Sequence, residues 1–247
     1  MTASRGEKIA GRRKGETRAG TEERRASVLA AALDCFIRNG IEGTTIGDIQ
    51  RAARCSVGSL YHHFGSKEGI AEELFIDGIG RFNRGLVRRL KRCRSAEESV
   101  KAVVRFYSDW STRHRALASY LHSRDIDFSD AARARLKAEY RAYITEVFTW
   151  FAPFVRDGEM RVLPRDAYVP LISGPIQEYV RRWLSGHYER PPGAMKALFA
   201  EAAWKSVGSG ADQGTSAHQG TSARQGTSSI GVPSSSRGVK TKMPKRT

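Results

Sequence analysis

Between Thr21 and Val207 the large apolar residues return every three or four positions, and the strict alternation of a half-buried strand is absent. A chain patterned in this way hides its apolar surface by packing helices on helices. Val28, Leu29, Ala32, Leu33, Phe36 and Ile37 make the first stripe, which Asn39-Gly40 ends. Thr45 is placed to cap a short helix over about Ile46–Ala53, and Ser56 to cap another over Val57–Phe64. After Gly65, Ser66-Lys67-Glu68 starts a longer segment carrying Ile70, Leu74, Phe75, Ile79, Phe82, Leu86 and Leu90. Four helices therefore fit before residue 95. Farther on, one face runs from Val100 through Leu121 and another from Leu136 to Phe151. Two more helices follow, one over Tyr168 to Leu184, with Pro175 expected to bend it, and one over Met195 to Ala202. The expected fold class is all-α, a head of three to four helices followed by a larger C-terminal bundle.

Composition narrows the function classes. Forty-two Lys and Arg stand against 26 Asp and Glu, a net charge of +16, so a polyanionic partner is the first to consider. Ten of the sixteen excess charges lie in residues 1–20 and 205–247, which leaves the middle only mildly basic. Both ends are poor in large apolar residues and read as unstructured: a basic arm over 1–20, and over 208–247 a tail in which Gln-Gly-Thr-Ser recurs at a six-residue step. The longest apolar run, Val28–Leu33, is too short to span a membrane, and no secretory signal is evident, so a cytoplasmic chain without a membrane partner is expected. Cys35, Cys55 and Cys93 are too widely spaced for a metal knuckle and odd in number, which favours free thiols.

Residues 45–64 have the layout of a helix-turn-helix, two short helices about a three- to four-residue turn, the second opened by a hydroxyl cap. On the second helix Leu60 and Phe64 point one way, as anchors to the rest of the head. Gly58, Ser59, Tyr61 and His62 point away from them. That outward face carries no carboxylate, so it can approach phosphate and donate hydrogen bonds. His62-His63 could be read as metal ligands, but adjacent helix positions diverge by about 100° and no acidic or cysteine partner is spaced to join them. Ser59 lacks the elbow and the base of a nucleophile. No catalytic residue, metal or cofactor is expected.

Ala31, Phe36, Gly40, Thr44-Thr45, Ile49, Ala53, Ser56, Gly58, Leu60-Tyr61, Phe64 and Ser66-Lys67-Glu68 together resemble the N-terminal signature of TetR-type transcriptional regulators, over about sixty residues. The resemblance implies a helix-turn-helix domain over 21–82, a ligand-binding and dimerisation bundle over 83–207, and a homodimer that binds operator DNA and releases it when a small molecule enters the bundle. Carried over by position, it makes Thr44 and Thr45 backbone contacts. It makes Val57, Gly58, Ser59 and His62 the groove-facing set, and brings Tyr61, His63 and Lys67 close to phosphates. Val57 suits a thymine methyl, and Tyr61 and Lys67 suit phosphate oxygens. Arg54 departs from the glycine usual in the turn, which costs more if φ is positive there. Arg81, Arg84, Arg88, Lys91 and Arg92 form a basic stripe, either a solvated face or an attraction for flanking phosphate.

Seventeen of the 22 aromatic residues fall between Val100 and Trp204, enough to enclose a ligand or simply to fill a core. Tyr107, Trp110, His114, Tyr143 and Phe151 join apolar area to polar tips and are the candidate pocket for an unknown aromatic or amphipathic effector. By the same resemblance Ile176, Val180, Trp183, Leu184, Leu198 and Phe199 supply the dimer seam. A nonspecific nucleic-acid binder working through basic tails and a helical-bundle enzyme are the alternatives.

Overall fold

The computed structural model describes residues 5–123 and 126–210. Among them are helices α1 (Arg5–Asn39), α2 (Ile46–Ala53), α3 (Val57–Phe64), α4 (Lys67–Leu90), α5 (Ala96–Arg113), α6 (Arg115–His122), α7 (Asp130–Arg156), α8 (Arg165–Leu184) and α9 (Pro192–Val207). Hydroxyl caps fix five of the starts: Thr45, Ser56, Ser66, Ser95 and Ser129 each accept a backbone N–H three residues on. Thr45 and Asp48 complete a reciprocal capping box on α2. Gly40 (φ 70°) and Gly65 (φ 76°) end α1 and α3 in the left-handed backbone that a side chain would resist.

Two apolar cores form along α4. Ile70, Ala71 and Leu74 pack with Phe36, Ile49 and Leu60 of the head, whereas Leu86 and Leu90 pack with Val100, Val104, Ile176 and Val180 of the bundle. The boundary expected at 82/83 therefore falls inside one continuous helix. The stripe from Val100 to Leu121 is also not one helix: His114 (φ −113°, ψ 46°) leaves helical backbone and separates α5 from α6. The break lets Leu117, Ala118 and Tyr120 of α6 join the head core. The Tyr120 hydroxyl donates to the Ala71 carbonyl oxygen at 2.8 Å, and its ring stacks on Phe36 with centroids 6.0 Å apart.

A second tie joins α7 to the head. Glu72 accepts from the Ser129 backbone N–H (2.5 Å) and hydroxyl (3.0 Å), and Glu73 pairs with both Arg25 of α1 and Arg135 of α7. Burial alone would push the Glu73 carboxyl up; the hydrogen bonds and charges of Arg135 and Arg25 outweigh it and hold it below its usual value.

The two ends differ from expectation. The arm expected over 1–20 is helical from Arg5, as the start of α1. The first residues of the expected tail are tied down, because Gly208 bridges Met160 and the Ser209 N–H donates to the Glu159 carbonyl at 3.1 Å, closing α9 onto the link that follows α7. Residues 1–4 and the repeats beyond 210 lie outside the described residues.

Candidate nucleic-acid interface and interior cavity

Helix α3 is short, so its orientation is set by its two anchors. Leu60 and Phe64 are buried in the head core, and that rotation leaves Val57, Gly58, Tyr61, His62 and His63 exposed, with Ser59 half-buried at the cap. Tyr61 is 53% and Val57 43% exposed, large values for residues that would otherwise add to a core. Asp48 is the one carboxylate in the α2–α3 segment, and it is used internally. It accepts from the Thr45 N–H (2.9 Å) and hydroxyl (2.6 Å) and from Arg51 (2.5 Å). The Thr45 hydrogen bonds, aided by the Arg51 charge, lower its pKa. The face that α3 presents is thus open, rich in donors and free of unpaired negative charge.

The turn that sets α3 against α2 is tied by the Cys55 N–H to the Gln50 carbonyl (3.3 Å) and by the Gln50 amide to the Cys55 carbonyl (2.9 Å). Arg54 takes left-handed backbone there (φ 51°, ψ 44°), unlike any other non-glycine described residue. The strain anticipated from the missing glycine is therefore present, and the arginine side chain is exposed beside α3.

Thr44 is not part of this surface. It is 1% exposed and donates its hydroxyl to the Gly40 carbonyl at 2.7 Å, closing the end of α1 onto the start of the next segment. Burial and that bond remove it from reach of DNA, which corrects the expected backbone contact. Thr45 is exposed, with its hydroxyl committed to the capping box. Lys67 is half-buried and reaches back to the Glu42 carbonyl at 3.3 Å.

Inside the bundle, α4, α5, α7 and α8 enclose a cavity of about 1000 Å³. Tyr107, Trp110, Tyr143 and Phe151 line it; His114 does not, because the helical backbone breaks at that residue. The histidine lining the cavity is His122, about two turns beyond the break, at the end of α6. Its Nδ1 lies 2.8 Å from the Ala118 carbonyl, which makes that nitrogen the donor and leaves Nε2 to accept from the Tyr107 hydroxyl at 3.3 Å. Burial, and then the neighbouring Tyr143, raise the Tyr107 phenol, while burial and Tyr140 push Tyr143 up to about 12. Both therefore serve as neutral hydroxyls. Asn83, Ser111 and Gln177 add further polar positions that the apolar pattern concealed. Their signal was only a polar interruption of an apolar stripe, which a buried structural residue gives equally.

The family model for bacterial regulatory proteins of the tetR family matches residues 28–74, the segment that builds α2, α3 and their supports. Over that segment the chain is similar to the tetR family of bacterial regulatory proteins. It is similar to the transcriptional repressor KstR2 of Rhodococcus jostii, with 28% identity over 187 residues, 71% of this chain and 84% of that protein. It is similar to the repressor NicS of Pseudomonas putida, with 26% identity over 142 residues, 58% of this chain and 66% of that one. The fold matches that of FadR from Bacillus subtilis, solved in complex with stearoyl-CoA, at a TM-score of 0.64 and 20% identity, covering 72% of this chain and 96% of that one.

Part of the seam expected for a TetR-type dimer is covered within the single chain. Ile176 and Val180 are fully buried and Trp183 is 7% exposed within the single chain, where Arg115 covers the Trp183 ring at 4.7 Å. Leu184 and Phe199 are half-buried against the same cores. The apolar area of Ile176, Val180 and Trp183 is covered within the chain, where α8 packs against α5, α6 and α9. Leu198 alone of that set faces outward, 63% exposed.

Proposed function

We propose that the chain is a TetR-type repressor that binds palindromic operator DNA as a homodimer and releases it when a small molecule fills the cavity. The observation that carries the reading is the orientation of α3, whose two anchors are buried and whose donor-rich, carboxylate-free face is open. Two such helices must enter successive major-groove segments, about 34–36 Å apart. The partner surface best supported is the outward face of α8 and α9, where Leu171, Pro175 and Leu198 lie exposed beside the small residues Ala194, Ala197 and Ala202. Small residues let helices of two copies approach closely while Leu198 supplies apolar area.

The route from cavity to DNA is helix α4. Phe82, Asn83 and Leu86 line the cavity, whereas Ile70 and Leu74 of the same helix hold the head core that seats α3. A ligand that displaces the lower half of α4 alters the separation of the two α3 helices and lowers DNA affinity without touching the contacting residues.

Mobility shift with duplexes from the region flanking its own coding sequence tests the reading. A sequence-preferring shift, lost in a variant with Tyr61→Ala and His62→Ala, is the expected result; a folded protein that binds no such duplex at low salt overturns it. Leu198→Glu should yield monomers in light scattering and weaken the shift at equal protein concentration.

A further inference from the structure

The charged groups around the cavity all have one sign. Arg156 and Arg165 line it, and among the described residues no Asp or Glu does. The two arginines are not equivalent. Arg156 is engaged by Asp157 through two contacts, at 2.8 and 3.3 Å, so its charge is already answered. Arg165 has no ion pair with a described carboxylate. Its guanidinium lies 4.4 Å over the face of Phe148, a packing that holds the side chain at the rim and leaves its hydrogen-bond donors free at the edge of the stack. Phe148 itself lines the cavity, and Tyr168 stands against it with centroids 6.2 Å apart. An exposed cation is thus held in one place at the mouth of a large aromatic chamber whose deeper polar groups include the neutral hydroxyls of Tyr107 and Tyr143.

We infer that the effector is an organic anion with a bulky apolar body, its anionic end held by Arg165 at the rim and its body among the aromatic side chains. This rests on the effector-responsive reading above and adds the chemical class. The cavity volume, about 1000 Å³, is at the upper end of the usual range for small-molecule sites, so an apolar body of drug size or more is accommodated. A cationic ligand of the same body meets aromatic faces but no carboxylate among the described residues, and Arg165 opposes it. A neutral one leaves the Arg165 donors to water. Among three ligands that share a body, the acid therefore binds best.

Matched probes test this in the full-length protein, kept below their aggregation concentrations. One set is flexible: palmitate, 1-hexadecanol and hexadecylamine. The other is rigid: 1-pyrenebutyrate, 1-pyrenebutanol and the corresponding amine. Trp110 lines the cavity and reports occupancy through its fluorescence, with thermal shift as a second readout. In at least one set the acid should bind about tenfold more tightly than the alcohol, the magnitude of one charge-assisted hydrogen bond discounted for exposure, and the amine more weakly still. Arg165→Gln should bring the acid to the level of the alcohol while leaving alcohol binding unchanged. The corresponding acyl-CoA thioester, measured beside the free acid, separates a phosphate-bearing anion from a carboxylate. Equal affinities within both sets, tighter binding of the amine, an acid preference that survives Arg165→Gln, or no binding of any probe overturns the inference. Mobility shift of the ligand-free protein is independent of these outcomes. DNA binding without acid preference sinks this inference alone, and acid preference without DNA binding sinks only the operator reading.

Discussion

Replacing Tyr120 with alanine removes the side chain that joins the head to the bundle through α6. The ring is 3% exposed, stacked on Phe36 and tilted against Phe75 at 6.4 Å, and its hydroxyl donates to Ala71 of α4. Loss of a buried aromatic ring of this kind costs about 3–5 kcal/mol. Tyr120→Phe keeps the ring and removes the hydroxyl alone. The Ala71 carbonyl lies within α4 and keeps its helical partner, so that change costs about 1 kcal/mol. For a helical unit of this size 1 kcal/mol corresponds to about 2–4 °C in Tm, so the phenylalanine variant should melt a few degrees lower in a single transition. The alanine variant should lose three to five times as much and separate into two transitions by circular dichroism, with the head core melting first. Because Tyr120 is buried and is not part of the exposed face of α3, Tyr120→Phe should leave DNA affinity unchanged in mobility shift. If the two variants are destabilised equally, the ring is not the joint. If Tyr120→Ala melts in one transition with a loss under about 1 kcal/mol, the coupling of head to bundle through α6 is wrong.

Thr44→Val removes a buried hydroxyl and its bond to Gly40, and urea denaturation should show a loss of about 1 kcal/mol with unchanged DNA affinity; a selective loss of affinity would restore Thr44 to the interface. Arg54→Gly relieves left-handed backbone and should raise stability by about 1 kcal/mol in the same assay, and a fall would mean that the side chain holds the turn. Burial, with help from Arg81 and Arg113, lowers the His114 pKa below its usual 6.5. The unfolded chain therefore takes up this proton first as pH falls, so stability should decline on acidification below about 6.5. His114→Gln should flatten that part of the pH–Tm profile, and an unaltered slope would place its origin elsewhere.

The features legible in the sequence are those whose physics is local. A serine or threonine cap acts on a backbone N–H three residues away, and a left-handed stop needs only Gly40 or Gly65, so the bounds of α2, α3 and the start of α4 could be read without tertiary contacts. The outward face of α3 was legible for a related reason: in a helix of eight residues, two large anchors fix the rotation of the rest. Neighbouring positions of the same chemistry show where that logic ends. Thr44 and Thr45 look alike in sequence, yet one closes the end of α1 and the other caps α2 at the surface.

What tertiary structure decided was which surface each apolar stripe meets. Periodicity shows that Ile176, Val180 and Trp183 must be covered, and does not distinguish cover by α5 and α6 of the same chain from cover by a second copy. The break at His114 has no proline or glycine to announce it. It follows from where Leu117 and Tyr120 can pack, and it is what exchanges His114 for His122 in the cavity. Burial against a distant segment depends on how whole helices are placed, and that placement is a property of all their contacts together, which no window of neighbouring residues contains.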